Sequence, residues 1–388
     1  MDEATRLIRL GQSAGPLAKT VGPPIQKGST VLLPNAAAIY DDENYVTYGR
    51  KGLAAQAALA EALAQMEGGS GACLYPSGLA ALTGAMLAVL SAGDEVLVAD
   101  CIYNPTRRFC DQVLKRFGVA VRYFDPETPA DALVASAGQA TRLIVLESPG
   151  SLTFEMQDLA RIAGLARARG ILTLADNTWG AGYLVKPIKL GVDISVQALT
   201  KYVGGHSDVF MGAACARDKA LLAKLEAGVI HMGWAVAPED AYQMLRGLRT
   251  LPTRLARHGA SGLVVAAWLE QQPQVVRLLH PALPGSPQYG LWARDYRGAC
   301  GLFSLVLRPA PRPAVAAFLD ALTLFGLGFS WGGFESLAID CDPQLRRRTI
   351  RKDYGGPVVR LHVGLEHPDD LIADLRGALD AFARAQAG

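Results

Sequence analysis

The sequence predicts an α/β fold with a large domain, whose mostly parallel sheet is covered by helices, and a smaller C-terminal α/β domain. Three observations carry this. From about residue 52 short apolar strands alternate with helical stretches, as expected of a parallel sheet covered on both faces. At 388 residues the chain exceeds the usual single domain. From about residue 248 proline-rich segments punctuate shorter elements.

The elements follow in order. "GLAAQAALAEALAQME" is Ala-rich and helical, and "GACLYPSG" is a short strand ending in a Pro-Ser-Gly turn. "LAALTGAMLAVL" reads as the next helix, "DEVLVAD" as strand, "NPTRRFCDQVLKRFG" as helix and "VAVRYFD" as strand. After a short helical link come the strand "RLIVLESP", the helix "DLARIAGLARARG", the strand "ILTLADN" and the apolar run Val192 to Ala198. In the C-terminal part "GLFSLVLRP" has the pattern of an antiparallel strand. The final "DDLIADLRGALDAFARAQ" is an amphipathic helix with an acidic start. The expected organisation is an arm at 1–51, a large domain at 52–247 and a C-terminal domain at 248–388.

Composition excludes several functions. Half of the residues are apolar and the formal charge is only +2, so a nucleic-acid partner is not expected. The one dense basic run, "RRRTIRKD" (Arg346 to Asp353), reads as a solvated loop or helix face. Six scattered cysteines without C-x-x-C spacing point to neither a zinc site nor a disulfide framework. "MDEATRLIRL" lacks an apolar signal core and the richest apolar stretches fall short of a membrane span, so a cytoplasmic protein with no membrane partner is expected.

In "ALTKYVGGHSDV" a lysine, Lys201, closes a buried strand. Most such lysines simply reach water along a flexible stem. A desolvated amine is what an aldehyde cofactor requires, and pyridoxal phosphate is the commonest cofactor that lysine holds as a Schiff base. That cofactor also needs an acid for its ring nitrogen, a flat partner for its ring and donors for its phosphate. Ligands bind at the carboxyl ends of parallel strands. Ser77, Gly78, Tyr103, Glu147, Ser148, Asp176 and Lys201 all fall there. Asp176 can face the pyridinium nitrogen, although alone it reads equally as a helix N-cap. Ser77, Gly78 and Leu79 lie where strand passes into helix, so free amides can hold a phosphate, and Thr200 can add a hydroxyl. Tyr103 can lie flat on the ring.

The segments "YGRKG", "YPSGLAA", "VLESPGS", "DNTWGAG", "VQALTKYVGGHSD", "FSWGGFESL" and "VRLHVGLE", in this order, resemble the cystathionine- and methionine-metabolism enzymes of the fold-type I pyridoxal-phosphate proteins. The resemblance runs over almost the whole chain. It implies the transferase-like fold of that class, a Schiff base at Lys201, Asp176 on the ring nitrogen and Tyr103 on the ring. Ser77, Gly78, Leu79 and Thr200 would hold the phosphate. Tyr48 and Arg50 would reach the site of a neighbouring subunit, so a homo-oligomer with shared sites, a dimer or tetramer, is implied. Arg360 would bind the substrate carboxylate, with Ser330 and Trp331 lining the same pocket. The implied activity is β-elimination of L-cystathionine to homocysteine, pyruvate and ammonia in methionine biosynthesis, with action also on cystine-type substrates. A γ-lyase, a γ-synthase or a cysteine desulfhydrase of the same family stays open. So does a non-catalytic member that keeps the fold.

Departures from the family pattern matter. Ala198 stands where many relatives carry a serine, which removes one phosphate hydroxyl. Gly150 and Ser151 replace the Asn-containing segment of γ-acting members, which favours β-chemistry. Arg107 and Arg108 are not readily matched.

Overall fold

The computed structural model describes residues 1–10 and 20–387. The strands of the large sheet are β1 (Gly71–Tyr75), β2 (Glu95–Ala99), β3 (Ala120–Phe124), β4 (Thr141–Glu147), β5 (Leu172–Asp176), β6 (Ile194–Ala198) and β7 (Gly212–Ala216). Their order is β1-β7-β6-β5-β4-β2-β3. All pairings are parallel except those of β7, which runs antiparallel to both β1 and β6. β7 is the strand that the sequence reading does not contain. Its residues "GAACA" carry neither β-branched nor aromatic side chains, so propensity is silent, yet all five are buried.

Alternation along the central strands sorts side chains into two cores. Val96 and Val98 of β2 join Leu143 and Val145 of β4 under the Gly78–Val89 helix. Leu97 and Ala99 join Ile144 and Leu146 under the Leu159–Ala168 helix. Both faces are therefore dry, which explains why these strands read as continuous apolar runs. The helix begun by "NPTRRF" continues as a π turn over Cys110–Leu114 and a 3-10 turn over Lys115–Phe117.

The second sheet comprises β8 (Val275–Leu279), β9 (Leu302–Leu307), β10 (Gly326–Leu327), β11 (Leu337–Asp340) and β12 (Val358–His362), in the order β10-β11-β12-β9-β8. β9, expected to be antiparallel, pairs so with both β8 and β12. The C-terminal helix Pro368–Ala387 packs Leu371, Leu375, Leu379 and Phe382 into this sheet's core. The 32-residue helix Pro238–Leu269 spans position 248.

In two basic segments, the first a largely exposed loop as read from sequence, the structure adds partners that the sequence does not show. In "RRRTIRKD" Arg348 is partly buried, pairing with Glu155 at 3.3 Å and donating to Ser151 O and Thr153 Oγ1. The same run donates Thr349 N and Ile350 N to the buried Asp100 carboxylate at 3.1 and 2.8 Å. It is a strap across the large domain, because the backbone and side-chain donors find acceptors that charge density alone does not reveal. Arg107 pairs with the same Asp100 and lies 3.9 Å over the Tyr123 ring, so it is a packing residue, whereas Arg108 is exposed.

All six cysteines are buried with free thiols. No helix among the described residues is long and apolar enough to cross a membrane.

Candidate active site

The carboxyl ends of β4, β5 and β6 form the floor of a cavity of about 280 Å³. Ser77, Gly78, Leu79, Tyr103, Asp176, Thr200, Lys201, Ser330, Trp331 and Arg360 all line it. Tyr48 and Arg50 do not; Tyr48 is half exposed and Arg50 donates to Ile230 O at 2.9 Å.

At one end the Gly78–Val89 helix starts. Ser77 caps it by accepting from Ala80 N at 3.1 Å, and Ala81 N bonds Ser77 O. Gly78 N and Leu79 N have no acceptor among the described residues, as first-turn amides do not. A Cβ on Gly78 would overlap the methyl of Ala198, so only glycine lets this turn meet the end of β6. Thr200 Oγ1 both donates to Met211 O at 3.2 Å and accepts from Met211 N at 3.0 Å. Its hydroxyl proton is thus directed at the backbone, in place of the free donor expected from sequence.

Asp176 ends β5. Its Oδ1 accepts from Thr178 N at 3.0 Å and Thr178 Oγ1 at 2.5 Å, and no described residue donates to Oδ2. The local turn that Asp176 closes is its capping role, and Oδ2 remains for a ligand. Glu147 stands beside it in register on β4. Burial first, and then the charge of Asp176, push the Glu147 carboxyl well above the usual range. Burial also raises Asp176, opposed by its two bonds from Thr178 and the charge of Lys201. Of the pair, Glu147 is the one whose charged form is the less favoured. Glu147 Oε2 also accepts Tyr103 N at 2.7 Å, fixing the backbone of the tyrosine. Sequence reasoning placed Glu147 at this edge without a role; the signal was a carboxylate closing an otherwise apolar strand.

Lys201 Nζ donates to Ser330 Oγ at 2.7 Å and sits 5.4 Å from the centre of the Trp331 ring. Burial, reinforced by the Arg360 charge, lowers its pKa to about 8. Arg360 comes from β12 in the second sheet. It is 8% exposed, and its Nη2 donates to Phe329 O at 3.3 Å and Ser330 O at 3.1 Å, leaving its other N–H donors for the cavity.

The donor set fits pyridoxal phosphate. Orphan amides at a helix start suit a phosphate, an unpartnered carboxylate oxygen suits a protonated ring nitrogen, and a lysine with depressed pKa suits an aldehyde.

The comparisons agree with this geometry. Residues 4–380 match the family described as Cys/Met metabolism PLP-dependent enzyme. A Bordetella avium protein named cystathionine beta-lyase is 43% identical, covering 94% of this chain and 93% of its own. The Escherichia coli cystathionine beta-lyase MetC is 39% identical over 96% of each chain. A Wolbachia pipientis protein named L-alanine/L-glutamate racemase is 38% identical over 98% of this chain and 97% of its own. The chain belongs to the Cys/Met metabolism family of pyridoxal-phosphate-dependent enzymes.

Proposed function

We propose that the chain is a carbon–sulfur lyase that converts L-cystathionine and water to homocysteine, pyruvate and ammonia by β-elimination. The observation that carries this reading is the meeting of Lys201, its pKa lowered to about 8, with Arg360 and Ser330 over Asp176, in a chain several of whose full-length relatives bear the lyase name.

Bound at this site, pyridoxal phosphate supplies an electron sink conjugated to the substrate Cα. Its phosphate would be held by Gly78 N, Leu79 N and Ser77, and Thr200 would join only with its hydroxyl turned from Met211. Asp176 Oδ2 would accept from the ring nitrogen and so favour its protonated form. Arg360 binds the substrate carboxylate through a guanidinium already anchored by two backbone carbonyls, so the fork arrives oriented. Lys201 is neutral above about pH 8, and its Nζ takes the Cα proton. Ser330 Oγ keeps that amine from swinging away. The departing sulfur receives its proton from the Lys201 ammonium or the Tyr103 hydroxyl. Glu147 contributes by holding Tyr103 through its backbone amide.

The reading also includes a homo-oligomer, dimer or tetramer, in which Tyr48 and Arg50 complete a neighbour's site. Its support is the exposure of large apolar residues along the same arm, including Leu32 at 93% and Tyr40 at 91%. Residues 1–51 would be this arm, 52–247 the cofactor domain and 248–388 the C-terminal domain, the last two coupled by the helix that spans residue 248.

Product analysis on L-cystathionine tests the reaction. Equal amounts of pyruvate and homocysteine support it. Cysteine with α-ketobutyrate would replace it by γ-elimination, and interconversion of alanine enantiomers without sulfur release would replace it by racemisation.

A further inference from the structure

We infer that His362 is a positioning residue for this reaction: its Nε2 lone pair holds Gly332 N–H, and the loop so held sets Ser330 and Lys201 in place. The kinetic part of this inference rests on the lyase reading above.

Arg360 and His362 are two residues apart on β12, so their side chains leave the same face of the strand. Together they grip one loop. Arg360 Nη2 reaches Phe329 O and Ser330 O, and His362 Nε2 accepts Gly332 N at 3.0 Å. Gly332 has φ +84°, and a Cβ there would lie 2.9 Å from Lys201 C and from Tyr202 N. The loop backbone thus lies directly against the backbone of Lys201. Ser330, two residues earlier, accepts the Lys201 amine at 2.7 Å. The lysine therefore meets this loop at both its root and its tip, and a displaced Gly332 would disturb both contacts.

The ring's proton can be placed. A backbone N–H only donates, so the bond from Gly332 needs a lone pair on Nε2 and a proton on Nδ1. The opposite tautomer would donate Nε2–H to Gly333 O, 3.1 Å away, and leave Gly332 N–H buried without an acceptor. The neighbouring His258 favours the first arrangement. Its Nδ1 lies 2.9 Å from Val363 O, which only accepts, so its Nε2 carries a lone pair. His258 Nε2 and His362 Nδ1 are both buried without partners, in rings whose centroids are 5.2 Å apart. A donor beside that lone pair is favourable and a second lone pair is not. Protonation of His362 is opposed by burial and by the charges of Arg360 and Lys201. Nε2 thus stays an acceptor.

The test compares three variants of the pyridoxal-phosphate-loaded enzyme. In His362→Gln the side-chain amide reaches about as far as Nε2, in His362→Asn it stops near Nδ1, and in His362→Phe the ring volume is kept with no acceptor. Hydrogen exchange across residues 329–333 should quicken by about tenfold or more in the Asn and Phe variants and stay near wild type in Gln. On L-cystathionine the same two variants should lose about tenfold in kcat with KM within about threefold, because Arg360 keeps its own carbonyl anchors. A Gln variant as impaired as Phe, or Asn and Phe variants with wild-type exchange, would overturn the inference. If Phe does not fold, the contrast between Gln and Asn decides the question by the same criteria. If the wild type releases no sulfur from cystathionine, the lyase reading fails while the exchange data still decide the role of His362.

Discussion

The floor and the roof of the cavity are built by different means. The floor is the edge of the large sheet, where Glu147 and Asp176 stand in register on neighbouring parallel strands and Lys201 follows the next strand. Strand spacing of about 4.8 Å fixes these groups relative to one another, and cores on both faces of the sheet make them hard to move. The roof is a loop, residues 329–333, suspended from β12 by bonds from Arg360 and to His362. It has no strand ladder of its own, so single hydrogen bonds matter more there. The two regions meet at Lys201, whose backbone belongs to the floor and whose amine is held by Ser330 of the roof. The difference teaches that the floor supplies chemistry by topology, whereas the roof supplies orientation by individual bonds.

Removing the group common to both regions should have the largest effect. Lys201→Ala should lose at least about a thousandfold in kcat/KM with the fold intact, checked by steady-state kinetics and circular dichroism. Full turnover in this variant would break the assignment of Lys201 as base.

A third contribution, from the arm of another subunit, would add to floor and roof. Mixing inactive Arg50→Ala and inactive Lys201→Ala chains should restore roughly a quarter of wild-type activity in randomly exchanged dimers, since half the dimers would be hybrids with one intact site. Demonstrated exchange without recovery would confine the site to one chain.

On the roof, Arg360→Lys keeps the charge but loses the fork. It should reduce kcat/KM by at least about tenfold, or roughly 1.4 kcal/mol, while the affinity for pyridoxal phosphate, measured by equilibrium dialysis, stays unchanged. Loss of cofactor binding would mean that Arg360 belongs functionally to the floor.

The remaining effect, on stability and not on turnover, lies beneath the floor. Glu67 is fully buried, accepting from Asn177 Nδ2 at 3.1 Å and Ser195 Oγ at 3.0 Å, and also from Gln197. Burial raises its pKa from 4.5 to about 7. The folded state therefore binds this proton more tightly than the unfolded one. The resulting stability is fully present below about pH 4.5 and is lost as pH rises to about 7. Glu67→Gln should flatten that dependence and raise stability at pH 8 by roughly 1–3 kcal/mol, seen in denaturant melts at pH 5 and pH 8. An unchanged pH profile would show that Glu67 is not the titrating group.

The floor was largely legible in the sequence, because each of its residues closes an apolar run and alternating elements assign those ends to one edge. Lys201, Asp176 and Tyr103 needed no more than this. β7 was not legible, since five small residues carry no strand preference and are buried because the strand lies between β1 and β6. The strap was read as a solvated loop, but its anchor was not legible because Asp100 lies about 250 positions away in the chain. The roof was visible only by resemblance. The bonds that position it run from β12 to backbone atoms about 30 residues earlier, and no local pattern encodes them.

The central claim is that Lys201 is where floor, roof and cofactor meet. Borohydride reduction of the purified enzyme loaded with pyridoxal phosphate, followed by peptide mass mapping, tests it most directly. The phosphopyridoxyl mass should be carried by the peptide containing Lys201 and by no other. A label on a different lysine, or none despite stoichiometric cofactor binding, would contradict it.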